Sequence, residues 1–235
     1  MTGKQLANTA LKIVEMPTYY VMGGFGQRLI TKNGDPVDWY NRDYEYNKKH
    51  KDEIEAHTNQ NPVVFAFDCV CLIKSIAWSF QGSPSLPYGG AKYESNGVPD
   101  MSISKLAASC PKRSTDFTNI DIGEIVFLGT SHVGIYVGDG HVVESTPAWK
   151  NGVQLTLLPD LLNPDKLPVR KWDWHGKPSY FTYTNYQPVV DTWESAYKIL
   201  SDKFDALNRE CNTLKDECTR LTVAINKIRE VIKNV

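Results

Sequence analysis

Apolar side chains change their spacing several times along the chain, and each change marks an element. Leu6, Ala7, Ala10, Leu11 and Val14 recur every three or four residues, which predicts a short amphipathic helix ended by Pro17. Pro62 to Phe67 is apolar and extended, and Cys69 to Phe80 returns to helical spacing with Asp68 at the N-cap position. Gly123 to Leu128, Ser131 to Gly138 and His141 to Glu144 read as three short strands separated by glycine-rich turns. Asn151 to Leu155 feeds another strand after a turn, and Val169 to Tyr183 reads as the closing strands.

Two stretches interrupt this pattern. Between Gly26 and Phe65, the turn signal Asn33-Gly34-Asp35-Pro36 precedes Trp39, Tyr40, Tyr44 and Tyr46 and then a charged helical run from Asn47 to His57. Between Gln81 and Asn119 turn residues dominate, with a short helix expected over Ser102 to Cys110.

Beyond Val190 apolar positions alternate by four and three without a slip from Trp193 to Ile232. That is a coiled-coil heptad, with Cys211 and Cys218 at a positions and Leu214 and Leu221 at d. Late β-branched a residues with Leu at d favour a parallel dimer, and Glu210 at g can meet Lys215 at e of a partner. A single amphipathic helix folded back on the rest of the chain is the competing reading, but it has no need of an unbroken 3.5-residue repeat. The expectation is therefore an α+β domain over residues 1–188 and a self-associating helix over 189–235.

Composition narrows the picture. The 235 residues carry a formal net charge of −1, which suggests no nucleic-acid partner. Met1 to Met16 includes Lys4, Lys12 and Glu15 and is not expected to be a Sec signal peptide, and no stretch is long enough to insert in a membrane. Five cysteines, an odd number without disulfide-framework spacing, suit a reducing compartment.

The candidate chemistry centres on Cys69 and His132. A thiol in the first turn of a helix feels the positive end of the dipole, which favours thiolate, and the free N–H groups there can hold an oxyanion. His132 opens the middle strand, where an imidazole can be held rigidly. Each has a bland alternative: a cysteine in an apolar run is most often a small core residue, and a lone strand histidine is usually structural.

Asp68-Cys69-x-x-Leu72-Ile73, then Gly123-Glu124-Ile125-Val126-Phe127 and His132-Val133-Gly134-Ile135-Tyr136-Val137-Gly138-Asp139-Gly140, resemble the NlpC-type cell-wall peptidases, papain-like enzymes that cut the peptide stems of peptidoglycan. Tyr20-Val21-Met22-Gly23-Gly24 is similar to that family's Tyr-Val-Trp-Gly-Gly segment, and the resemblance runs from Leu6 to about Tyr183. It implies an antiparallel sheet packed on the nucleophile helix, with Cys69 as nucleophile, His132 as base and Tyr20 near the thiol. Asp68 supports the helix start. No metal or cofactor is implied. His50 and His57 could share a helix face but lack a third ligand. The resemblance departs at Val70 and Cys71, which stand where Ser-Gly is common, and at Met22. Cys71, about 200° around the helix from Cys69, is expected to be a core thiol.

The family's third catalytic position is usually a His on the next strand, and here it is Glu144. Two hairpin registers are conceivable. A two-residue Asp139-Gly140 loop with Val137 opposite Val142 sets Ile135 against Glu144 and points the carboxylate away from His132. A three-residue Gly138-Asp139-Gly140 loop sets Gly134 against Glu144 and brings the carboxylate onto the face of His132. The second is the expectation. His141 then opposes Val137 and faces away.

Trp39, Tyr44 and Trp149 are candidates for substrate contact, because sugars and stem peptides are bound by aromatic faces with polar rims. The resemblance, with no export signal, implies a phage or prophage lysin or a tail-associated enzyme, made in the bacterial cytoplasm and reaching the wall after release or within a particle. An amidase on the same fold and a non-catalytic phage structural protein are the alternatives.

Overall fold

The computed structural model describes residues 1–183, 204, 208–209, 211–222 and 225. The chain divides into two compact units, Met1–Thr184 and Asn185–Val235.

In the first unit α1 (Gly3–Val14) starts at a capping box, in which the Thr2 hydroxyl accepts from the Gln5 N–H and the Gln5 side chain from the Thr2 N–H. β1 (Thr18–Tyr20) and β2 (Phe25–Arg28) follow, then β3 (Thr31–Lys32) and β4 (Asp35–Pro36) as a small hairpin. Its turn residues Asn33 and Gly34 both have positive φ, as an Asn-Gly turn requires. The charged run forms two short helices rather than one, α2 (Glu45–Lys49) and α3 (Lys51–Ala56), broken at His50. β5 (Phe65–Phe67) lies between β1 and β2 in a three-stranded sheet, parallel to β1 and antiparallel to β2.

Asp68 turns the chain from β5 into α4 (Cys69–Ala77), every residue of which is buried. This helix packs against α1, β2, β8 and β9. After α5 (Ile103–Ala108) and β6 (Arg113–Ser114) come β7 (Ile125–Leu128), β8 (His132–Gly138), β9 (His141–Thr146), β10 (Gly152–Leu157) and β11 (Trp174–Gly176). The last six strands make one antiparallel sheet in the order β10-β9-β8-β7-β11-β6. Only three residues of the expected closing strands pair as β11, because Pro168 and Pro178 bracket the rest.

The main core joins Leu6, Ala10 and Ile13 of α1 to Leu72, Ile73 and Ile76 of α4 and to Phe127, Val133, Ile135 and Val143 of the sheet. Val126, Tyr136, Val142, Leu158 and Trp172 form a smaller cluster. The insertion between β2 and α4 is tied down by polar contacts. Arg28 and Asp38 form a buried ion pair at 2.9 Å, and Asn47 both accepts from the Met22 N–H and donates to the Met22 carbonyl at 2.9 Å.

In the second unit residues 211–222 are helical. Leu214 and Leu221, on the heptad's apolar stripe, are exposed. Most of the expected heptad, including Trp193, Tyr197, Ile228 and Ile232, lies outside the described residues.

Candidate active site

Asp68 ends β5 in extended conformation, and its carboxylate makes two bonds. Oδ1 accepts from the Cys71 N–H at 2.6 Å, capping the helix, and Oδ2 accepts from the Gly23 N–H at 2.8 Å. One side chain therefore fixes both the helix start and the Gly23-Gly24 loop. Because the cap takes the Cys71 N–H, the N–H groups of Cys69 and Val70 remain at the helix start, and both approach the Cys69 sulfur.

A third N–H reaches that sulfur from Val133, the residue after His132. The thiol thus sits against the first residues of β8. Tyr20 is buried beside it, and the proximity of Cys69 and Asp68 adds to the burial that raises its hydroxyl pKa. The thiol itself is 6% exposed. Burial pushes its pKa up to about 12, the Asp68 carboxylate adds to the shift, and the three N–H groups oppose it. Burial thus opposes the thiolate that the helix start favours. Desolvation of a charged sulfur outweighs a dipole effect of about 1–2 kcal/mol.

The β8–β9 hairpin brings His132 and Glu144 together. Ile135 pairs with Val143 and Tyr136 with Val142, and continuing the ladder sets Gly134 across from Glu144. This is the second register, reached by a different turn from the one anticipated. Asp139 and Gly140 form a two-residue loop with both φ positive (50° and 75°), and a bulge between Tyr136 and Gly138 supplies the one-residue shift. His141 consequently pairs with Gly138 rather than Val137. His132 Nε2 lies 2.6 Å from Glu144 Oε2, leaving Nδ1 as the ring nitrogen open to a reacting group.

Glu144 is fully buried and engaged at both oxygens. Its Oε1 accepts from Thr156 Oγ1 at 2.8 Å and from Arg170 Nε at 2.9 Å. Burial alone would raise its pKa, but the bonds from His132 and Arg170 more than offset that and hold it below the usual carboxylate value. Trp172 stacks on the His132 ring at 5.6 Å and 10°.

A cleft of about 930 Å3 opens beside the helix start, lined by Asp68, Val70 and Cys71 rather than by Cys69. Trp39 and Tyr44 line it and are exposed, whereas Trp149 is placed elsewhere, against Arg170. Val70 and Cys71, in place of Ser-Gly, therefore form part of the cleft wall. Cys71 is buried and also faces this cleft, next to the ion pair of Lys74 and Asp100.

Arg170, Thr156 and the Lys74–Asp100 pair were not legible as site residues. Thr156 shares a face of β10 with Gln154, which pairs with Glu144, so its proximity follows only once the register is known. Arg170 sits in irregular chain anchored by its N–H to the Leu157 carbonyl at 3.0 Å, and no spacing rule points to it.

No protein-family profile matches the chain, and no curated protein matches it. Two of the solved structures that resemble it illustrate the likeness. The peptidoglycan hydrolase RipB from Mycobacterium tuberculosis superposes with a TM-score of 0.38 at 15% identity, over 74% of this chain and 65% of that one. The P60 domain of an antigen from M. avium subspecies paratuberculosis gives 0.35 at 17% identity, over 74% of this chain and 96% of that one. The match thus spans a little less than two thirds of the RipB chain.

Proposed function

We propose that this chain is a cysteine hydrolase that cleaves amide bonds in the peptide stems of bacterial peptidoglycan. The observation that carries the reading is an imidazole bonded at 2.6 Å to a buried carboxylate, on a strand whose next residue, Val133, brings its N–H to a thiol at a helix start. The sequence motifs around Cys69 and His132 supply the substrate class.

Burial favours the protonated form of the sulfur. The proton therefore leaves Sγ for His132 Nδ1 as the sulfur attacks the scissile carbonyl, rather than before substrate arrives. The developing oxyanion meets the N–H groups of Cys69 and Val70. His132 then returns the proton to the departing amine, the C–N bond breaks, and a thioester remains. Water, deprotonated by His132, attacks the thioester and restores the thiol. Glu144 fixes the ring with Nε2 toward itself and offsets the imidazolium charge during each transfer.

Mass spectrometry of fragments released from purified walls by the wild-type protein and by Cys69→Ala tests this. Fragments carrying a new amine should come from the wild type only, and their masses separate an endopeptidase from an amidase at the sugar–peptide junction. Silence of the wild type on several wall chemistries would remove the hydrolase reading. The setting we propose is a phage or prophage lysin or tail-associated enzyme, with the C-terminal heptad pairing two copies for avidity on a repetitive wall.

A further inference from the structure

Glu144 is bonded to His132 on one side, and on the other it is gripped by a group that has no part in the scheme above. The Arg170 guanidinium donates through Nε to Glu144 Oε1 at 2.9 Å. Its Cζ lies 4.7 Å from the centre of the Trp149 ring and 5.5 Å from that of Trp172. Trp172 in turn lies parallel to the His132 ring. The contacts close a loop, from His132 to Glu144 to Arg170 to Trp172 and back to His132.

We propose that Arg170 is a positioning residue that sets the orientation of His132 through Glu144 and Trp172. The proposal rests on the hydrolase reading, and it deepens that reading by naming a part of the machinery outside the Cys-His-Glu trio. A buried carboxylate bonded only to an imidazole could rotate about its terminal torsion or take a proton. With Oε1 fixed by Arg170 and Thr156, Oε2 has one direction left, toward His132 Nε2. The planar guanidinium can lie against two indoles and still donate in its own plane, which an ammonium cannot do. Trp149 covers Arg170 while remaining 54% exposed, so the clamp faces solvent through that ring. The ionisable groups that hold Glu144 charged are His132 from β8 and Arg170 from the segment before β11.

The test uses the full chain and four variants: Arg170→Met, Arg170→Lys, Glu144→Gln, and Glu144→Gln with Arg170→Met. Arg170→Met should lower kcat by about 10- to 100-fold with little change in KM, the loss typical of a reacting group that has slipped. The acid limb of its pH profile should move to higher pH, because Glu144 loses a cation that favours its charged form. Arg170→Lys should recover part of kcat. In the Glu144→Gln background the same Met substitution should cost little more, since the carboxylate it acts through is gone. Equal losses in both backgrounds, or a loss confined to KM, would overturn the proposal.

Imidazole nitrogen NMR on the full chain separates failure of this inference from failure of the hydrolase reading. Arg170→Met should change the His132 Nε2–H resonance whether or not walls are cut, and an unchanged resonance counts against positioning. If Arg170→Met does not fold, Arg170→Lys carries the same NMR and kcat comparison.

Discussion

At Cys69 two effects of the same position act against each other. The helix start offers N–H groups and a dipole that favour a charged sulfur, while the burial that lets α4 pack on the sheet, together with the Asp68 carboxylate, disfavours it. Burial prevails, so Cys69 should react sluggishly with neutral alkylating reagents at pH 7 to 8. Asp68→Asn removes the nearby negative charge, and the pKa of the thiol should fall. The rate of carbamidomethylation of Cys69 at fixed pH should therefore rise, followed by peptide mass spectrometry. Asn keeps an oxygen to cap the Cys71 N–H but loses the acceptor for the Gly23 N–H, and that one lost bond predicts a stability loss of about 1 kcal/mol in a urea titration. A variant whose alkylation rate matches wild type would show that Asp68 does not govern the thiol. Glu144→Gln, which keeps an acceptor but no charge, should slow turnover by about 10- to 100-fold without abolishing it, as read from initial rates of fragment release.

Among elements, those with a clear period were readable from the sequence. α1, α4 and the strand trio β7, β8 and β9 fall where apolar spacing and glycine turns put them. The β8–β9 register was accessible because two candidate loops lead to opposite faces for Glu144, so the choice reduced to parity. The bulge at Val137 was not accessible, since a two-residue loop plus a bulge and a three-residue loop give the same register. The segment between β10 and β11 has neither period nor regular structure, and Arg170 was invisible for that reason.

β11 also brings in a second histidine–carboxylate pair that its own sequence did not announce. His175 Nδ1 lies 2.5 Å from Glu124 Oε2, and Nε2 lies 2.9 Å from the Asp116 carbonyl. An ionised Glu124 and the Asp116 carbonyl both accept, which favours a ring that donates from both nitrogens and is charged. Burial pulls the His175 pKa down, but the bonds to Glu124 and Asp116 raise it above the ordinary value. A raised folded pKa gives stability that is fully present below the unfolded pKa of about 6.5 and is lost as pH rises through the folded one. The melting temperature of the wild type should therefore exceed that of His175→Gln most at pH 5.5 to 6, with the gap narrowing toward pH 9. A gap that widens with pH would mean that His175 is neutral in the fold.

On the scale of the whole molecule the expected heptad makes a prediction about assembly. Leu214 and Leu221 are 56% and 63% exposed on the helix spanning 211–222, and Cys211 and Cys218 on the same stripe are exposed free thiols. Apolar groups at 3.5-residue spacing favour pairing with a second copy. A chain of 26.5 kDa should then scatter light as a species of twice that mass, and Leu214→Glu with Leu221→Glu should return it to monomer. Orientation can be read from the cysteines. In a parallel, in-register pair Cys211 faces Cys211 and Cys218 faces Cys218, so a short bifunctional maleimide should link copies of Cys211→Ser through Cys218, and copies of Cys218→Ser through Cys211. In an antiparallel pair a residues meet d residues of the partner, so neither thiol faces a thiol and neither single variant should be linked. Wall digestion, but not cleavage of a small soluble stem peptide, should weaken in the monomeric variant, because avidity acts only where the substrate repeats.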